Sequence, residues 1–156
     1  MAPITSKLPG VLRVELSELE PDPNALYRWC FTGGRDFTDK DWVWRNLYEL
    51  NGYAEVGAIA EIGIGCATGV DALVLEWAIA KNVAWTRYVA DWDRFGTAAG
   101  SIRNTAMLED FQPDYLGVFP GGVGTTHCTR TARKLGIERV FLIPEIDPFE
   151  EASKWG

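Results

Sequence analysis

The fold is decided by one stretch near the start of the chain, Leu26-Tyr27-Arg28-Trp29-Cys30-Phe31-Thr32-Gly33-Gly34. Its aromatic residues favour a β-strand, and the glycine pair ends that strand in a turn. A helix is predicted next, because Thr38 or Asp39 can cap its first turn and Asn51-Gly52 can stop it. This stretch therefore begins a strand–turn–helix unit.

The same unit recurs along the chain. Short apolar strands are predicted at 58–64, 85–89, 115–119 and 139–143. Helices are predicted from Gly69 onward, in the second half of 94–109, and at 125–135, where Gly136 stops the last one. The alternation predicts a mainly parallel sheet of about five strands with helices on both faces, a Rossmann-like three-layer α/β sandwich. The segment Val11–Leu16 partly alternates apolar and polar residues and can add an N-terminal edge strand.

Composition is typical of one compact domain. The chain has 156 residues, of which 47% are hydrophobic and 24% are charged, enough for a single core without covalent staples. No apolar run approaches the ~20 residues of a membrane span, and Met1 to Lys7 lacks the features of a signal peptide. We therefore expect a cytoplasmic protein without a membrane partner. Three cysteines without CxxC spacing argue against a disulfide framework and against a metal site.

Most of the excess of acidic over basic residues lies at the two ends of the chain. The net charge is −7, but residues 23–144 hold 12 basic against 14 acidic residues. We divide the chain into an N-terminal extension (1–24), a central domain (25–144) and an acidic C-terminal tail (145–156). A net acidic surface argues against a nucleic-acid partner. Local donors can still hold a small anionic ligand.

Three predicted strand ends carry glycine-rich turns. They are 32–37 (TGGRDF), 63–71 (GIGCATGVD) and 120–125 (PGGVGT). The carboxyl ends of parallel strands lie along one edge of the sheet, so the turns can converge there. Each turn precedes a helix whose free N–H groups favour phosphate or carboxylate. The second turn reads GxGxxxG rather than GxGxxG, and the sequence has no GxxxxGK[ST], so neither a standard NAD site nor a P-loop is indicated.

A fourth segment, 91–104 (DWDRFGTAAGSIRN), combines small residues with an Arg-Asn pair at a predicted helix start. Arg103 can fork onto a phosphate, and Asn104 can hydrogen-bond a base or ribose. The plainer interpretation makes Arg103 an ordinary surface residue of a helix. Trp92 can either stack on a base or pack in the core.

In these four segments the chain resembles the SLOG superfamily (the SMF/DprA–LOG Rossmann-like group), and within it the YspA-type branch. The shared motifs are the strand-TGGRDF turn, a GGAxGAD-like turn at 65–71, the DWxxxGxAAGxxRNxxML block at 91–108 and the PGGxGT turn at 120–125. The match covers roughly residues 26–144 in the same order. The N-terminal extension and the acidic tail lie outside it.

The resemblance implies that a nucleotide or nucleotide-derived small molecule binds at the glycine-rich edge, with no cofactor required. It also implies association into homo-oligomers. The residues expected to contact the ligand are Thr32, Gly33, Gly34, Arg35, Gly65, Gly69, Asp71, Arg103, Asn104, Gly121, Gly122, Gly124 and Thr125.

One related group, the cytokinin-activating phosphoribohydrolases, cleaves an N-glycosidic bond and carries a PGGxGTxxE motif. In this chain Cys128 stands at the position of that glutamate. A thiol cannot replace a carboxylate that stabilises an oxocarbenium ion or transfers protons. Cys66 and Thr68 also depart from the family's second glycine and basic residue, which changes how this turn can hold phosphate.

Asp71, Asp36 and His127 are the candidates for proton transfer if the protein is an enzyme, which the sequence leaves open. Each has a plainer interpretation. Asp71 can complement a helix dipole, Asp36 can pair with Arg35, and His127 can be a cap or surface residue. The favoured function is a non-catalytic sensor, carrier or sequestering protein for a nucleotide. The alternative is hydrolysis of an N-glycosidic or phosphoester bond.

Overall fold

The computed structural model of the chain describes residues 4–5, 8–52, 59–137 and 139–143. Within them, one sheet contains the strands β1 (Ile4–Thr5), β2 (Arg13–Leu16), β3 (Tyr27–Thr32), β4 (Ile59–Ile64), β5 (Ala84–Val89), β6 (Tyr115–Val118) and β7 (Arg139–Leu142). The helices are α1 (Lys40–Gly52), α2 (Val70–Ala80), α3 (Trp92–Phe95), α4 (Ala99–Phe111) and α5 (Val123–Lys134), with a short 3₁₀ turn at Gly96–Ala98.

The strand order is β1-β2-β5-β4-β3-β6-β7. The five strands from β3 to β7 pair in parallel, and each crossover between them carries a helix. The predicted α/β sandwich with about five parallel strands is thereby confirmed. β3 lies at the centre of the parallel part, so the turn after it is flanked by the ends of β4 and β6.

The N-terminal segment differs from the prediction in one respect. Residues 13–16 do form a strand, but β2 is not at the edge, because β1 pairs with its outer side. β2 pairs antiparallel with β5, with Arg13 opposite Val89 and Leu16 opposite Thr86. The extension therefore completes the same sheet as the central domain. The acidic tail at 145–156 lies outside the described residues.

Helices cover both faces of the sheet. Side chains of β3 alternate, so Trp29 and Phe31 lie in the core under α1 and α2, whereas Cys30 lies in the core under α4 and α5. Trp42 and Trp77 complete the first core. Burial of each of these aromatic side chains contributes about 2–3 kcal/mol to stability.

Local signals in the sequence explain where the helices begin and end. Asp39, one of the two predicted caps, accepts the amide of Trp42 through Oδ1 at 3.1 Å. Gly136 follows α5 with φ +83°, the left-handed conformation that favours glycine. Among the helices of the described residues, none is long and apolar enough to cross a membrane.

Candidate functional site

The three glycine-rich turns meet at the carboxyl ends of β3, β4 and β6, around a cavity of about 700 Å³. Backbone hydrogen bonds join them: the amide of Gly34 donates to the carbonyl of Pro120 at 2.8 Å, and the amide of Val70 donates to the carbonyl of Gly34 at 3.1 Å. The first turn thus lies between the other two. The convergence expected from a parallel sheet is present.

Twelve of the thirteen residues predicted to contact a ligand line this cavity: Thr32, Gly33, Gly34, Arg35, Gly65, Asp71, Arg103, Asn104, Gly121, Gly122, Gly124 and Thr125. Gly69 does not line it. Gly69 has φ +73°, and a Cβ there would overlap the carbonyl oxygen of Gly34. Its role is to let two turns pack against each other.

Polar side chains are buried at this place and hardly elsewhere. Six polar or charged residues of the described chain are buried, and five of them line the cavity: Thr32, Asp71, Arg103, Asn104 and Thr125. Burying such groups costs free energy unless each finds a partner. Their concentration at one cavity is therefore a feature of a binding or catalytic site rather than of a core.

Arg103 is a buried residue at the cavity floor and not the surface residue of the plainer interpretation. It is 6% exposed. Its Nε donates to Oδ1 of Asn104 at 2.9 Å, and its Nη1 donates to Sγ of Cys66 at 3.2 Å. Nδ2 of Asn104 donates to the carbonyl of Gly124 at 3.4 Å. This chain of contacts fixes the guanidinium between α4, α5 and the end of β4.

Asp71 lies in the first turn of α2 and is 7% exposed. Its Oδ2 accepts the amide of Ala67 at 3.0 Å. Burial raises the pKa of Asp71 from 3.8 to about 6, although the nearby guanidinium of Arg103 lowers it. A cavity-lining carboxyl with this pKa changes charge close to neutral pH, so it can bind a hydroxyl or exchange a proton.

The first turn of α5 offers backbone donors to the cavity. No side chain caps this helix, and no acidic residue lies in its first turn. A Cβ at Gly122 or Gly124 would meet no atom within 4 Å. The free N–H groups and the open space beside them suit a phosphate.

The rim of the cavity carries Arg35, Asp36 and Trp92. Trp92 is 45% exposed, so it is not the core residue that one interpretation made it. The Arg35 guanidinium carbon lies 5.9 Å from the centre of the Trp92 ring. An exposed indole beside a cation can stack on a base.

Two candidates from the PGGVGT region lie elsewhere. His127 is half-buried in α5 and does not line the cavity, so the structure does not bring it together with Asp71 and Asp36. Cys128 is fully buried, and burial raises the pKa of its thiol to about 12. The thiol stays protonated at neutral pH and is no nucleophile.

Sequence reasoning did not single out several cavity residues. They are Phe31, Phe37, Ala67, Thr97, Gly100, Ser101, Met107, Pro120 and Val123. Most belong to the glycine-rich segments already quoted, which was the available signal. Among the described residues, no group of histidine, cysteine, aspartate or glutamate is assembled to hold a metal ion.

Comparison with known proteins identifies a family and a phage protein that are similar to this chain. Residues 28–95 match the family described as "YspA, cpYpsA-related SLOG family". The chain is similar to Gene 61 protein of Mycobacterium phage D29, with 34% identity over 119 residues that make up 72% of this chain and 93% of the phage protein.

The fold is similar to that of DNA processing protein A from Helicobacter pylori, whose structure was determined for its single-stranded DNA binding mode. The TM-score is 0.55 and the identity 15%, over 100% of this chain and 88% of the other. The expectation that a nucleic-acid partner is unlikely is wrong as an argument from net charge, because a protein of this architecture binds single-stranded DNA. Local charge can differ from net charge: α5 holds Arg130, Arg133 and Lys134 and no acidic residue.

Proposed function

Because this chain belongs to the YspA, cpYpsA-related SLOG family, we propose that it binds a nucleotide or nucleotide-derived molecule in the 700 Å³ cavity, as a sensor, carrier or sequestering protein. One observation carries the proposal. Five buried polar side chains and three glycine-rich turns converge on a single cavity. Such an arrangement suits a ligand with a phosphate at one end and hydrogen-bonding groups along its length.

Each part of a nucleotide has a matching part of the cavity. A phosphate would lie against the uncapped amides of α5 at Gly122 and Gly124. The carboxylate of Asp71 would accept a ribose hydroxyl. Trp92 and Arg35 at the rim would stack on the base.

The first experiment is mass spectrometry of the small molecules released when the purified protein is denatured. A stoichiometric nucleotide supports the proposal and names the ligand class. An empty protein is then titrated with nucleotides by calorimetry. If no nucleotide binds to the empty protein at millimolar concentration, the proposal fails.

A matched pair of variants tests the site. Gly122→Asp adds a carboxylate where no atom lies within 4 Å, so the fold is kept while phosphate is repelled. Gly52→Asp makes the same change at the end of α1, again with no atom within 4 Å. We expect affinity to fall at least tenfold in the first variant and to stay unchanged in the second. Equal affinities in both variants would remove α5 from the site.

Hydrolysis of an N-glycosidic or phosphoester bond is the second candidate, and the buried carboxyl of Asp71 favours it. With its pKa raised by burial to about 6, Asp71 can both release and take up a proton near neutrality. The departure at Cys128 weighs against it. Turnover of a nucleotide that Asp71→Asn abolishes, with binding retained, would establish catalysis. Tight binding without turnover would exclude it for that nucleotide.

The likeness of fold to the Helicobacter protein supports a further source of the nucleotide, the end of a single strand of DNA. The cavity would then hold one nucleotide of the strand. Competition between a deoxynucleoside monophosphate and an oligonucleotide tests this. Displacement of one by the other indicates a shared cavity.

A further inference from the structure

A second cavity, of about 400 Å³, lies on the other side of the first turn of α5, against the ends of β6 and β7. It is lined by Val118, Phe119, Pro120, Gly121, Thr125 and Thr126 near the turn. Thr129, Arg130, Arg133, Leu142 and Ile143 line its far end. We call it the α5 groove. Pro120, Gly121 and Thr125 line both this groove and the larger cavity, so the two are contiguous across the PGGVGT turn.

The groove is basic although the protein is acidic. Arg130 and Arg133 are exposed, and their spacing of three places them on one face of α5. In the part of the chain that the structure describes, neither guanidinium has an acidic partner. Arg133 complements the dipole at the end of α5, but Arg130 lies a turn earlier, where the dipole gives no reason for a cation.

The two guanidinium groups are the cationic donors of the groove. The hydroxyl of Thr126 donates back to the carbonyl of Gly122 at 3.1 Å, and that of Thr129 donates to the carbonyl of Thr125 at 2.9 Å. These hydroxyls therefore have no proton left for a ligand. What the groove can bind is an anion held by Arg130 and Arg133.

We propose that the α5 groove is a second phosphate subsite, and that the ligand is a single strand with one nucleotide in the larger cavity and its neighbouring phosphate on Arg130 and Arg133. The proposal rests on the proposed function for the larger cavity. It adds the chain length of the ligand, at least two nucleotides.

The spacing favours phosphates separated by a nucleoside. Arg130 lies seven positions after Val123 in α5, which corresponds to roughly 10 Å along the helix axis. Helical side chains lean toward the helix N-terminus, which shortens this gap by part of a turn. Two directly joined phosphates would both stay at the N-terminus of α5, whereas a phosphodiester-linked neighbour can reach the arginines.

Calorimetry with three ligand sets tests the subsite. The sets are the four deoxynucleoside 5′-monophosphates, the corresponding diphosphates, and the four 5′-phosphorylated homodinucleotides. We compare the wild type with the double variant Arg130→Gln, Arg133→Gln. Lys134→Gln is the matched control. Lys134 is a basic residue that shares the last turn of α5 with Arg133, and it does not line the groove.

We expect the best dinucleotide to bind the wild type about tenfold more tightly than its monophosphate. The double variant should lose this advantage, while affinities for monophosphates and diphosphates stay within twofold and Lys134→Gln behaves as the wild type. Both arginines are exposed, so circular dichroism should show an unchanged fold.

Several outcomes overturn the subsite. These are a dinucleotide that binds no more tightly than its monophosphate, an advantage that persists in the double variant, and an arginine effect seen only with diphosphates. Gly122→Asp separates this proposal from the proposed function. If that variant leaves an arginine-dependent dinucleotide affinity intact, the larger cavity is wrong and the groove stands. If no nucleotide of either length binds, both proposals fail.

Discussion

Nη1 of Arg103 donates a hydrogen bond to Sγ of Cys66 over 3.2 Å, so a thiol from the second glycine-rich turn holds the buried cation of the cavity. The same sulfur accepts the amide of Ala90 at 3.2 Å. Cys66 thus replaces the glycine of related turns with a side chain that ties the end of β4 to the end of β5. The residue that departs from the family pattern is therefore a hydrogen-bond partner of Arg103.

Cys66→Ala should destabilise the protein more than Cys66→Ser. Alanine leaves a buried guanidinium donor and the amide of Ala90 without their acceptor, at a cost of about 1–3 kcal/mol. Serine keeps an acceptor at the site. Urea unfolding at pH 7 of the two variants measures the difference. Equal free energies of unfolding would mean that the sulfur does not hold Arg103.

Stability should fall with rising pH because of Asp71. Burial raises its pKa from 3.8 to about 6, so between these pH values the folded chain keeps a proton that the unfolded chain has lost. The folded state therefore has its full stability below about pH 4 with respect to this group, and loses about 3 kcal/mol by pH 7.

Asp71→Asn removes this pH dependence. Its side-chain oxygen can still accept the amide of Ala67, and the variant should be more stable than the wild type at pH 7.5 and no more stable at pH 4. Urea unfolding at both pH values checks this. A wild type whose free energy of unfolding is flat across the window, relative to the variant, contradicts it.

Gly124→Ala should separate stability from binding. A Cβ at Gly124 meets no atom within 4 Å, and the position is helical, so alanine should raise stability by about 0.5 kcal/mol. The same methyl group stands where the ligand would approach the backbone, and nucleotide affinity should drop about tenfold. Gly136→Ala gives the opposite pattern, since φ +83° there costs alanine about 1 kcal/mol and the residue does not line the cavity. Thermal unfolding measures the stability of both variants, and calorimetry measures their nucleotide affinity. An undiminished affinity in Gly124→Ala would show that the ligand keeps away from α5.

Gly65→Ala should damage the cavity floor. Its Cβ would lie 2.7 Å from Cζ of Arg103 and 2.7 Å from Oδ2 of Asp71, so both groups must shift. We expect a loss of about 1–3 kcal/mol in stability together with loss of nucleotide binding. Gly52→Ala, with open space around it, is the control. Unchanged stability and affinity in Gly65→Ala would mean that the side chains of Arg103 and Asp71 can move aside without loss.

Much of the fold could be predicted because the parallel strands have local signals. An aromatic run such as Tyr27–Thr32 followed by two glycines indicates its own strand and turn, and the geometry of parallel sheets then brings the turns together. The place of β2 could not be predicted. Its partner is chosen by tertiary contacts with β5, and four residues of alternating pattern do not specify which edge they join.

For the candidate site, the sequence predicted the location of the backbone turns better than the burial of the side chains. The glycine-rich turns can be recognised from the spacing of glycines in the sequence. Most of the glycines predicted for the site therefore line the cavity. Burial depends on what packs above a residue, and for this reason the sequence could not distinguish a buried Arg103 from a surface one. His127 and Cys128 are neighbours in α5, and successive residues of a helix point in different directions. Cys128 therefore points into the core, whereas His127 is only half-buried.

The pairing of β2 with β5 constrains the order in which the sheet can form while the chain is synthesised. Every residue pair in that register is at least 70 positions apart in the chain. During synthesis β2 cannot complete its pairing with β5 until Val89 has left the ribosome. Closing so long a loop is entropically costly and slow, so β2 joins the parallel strands later than a hairpin partner close in sequence would.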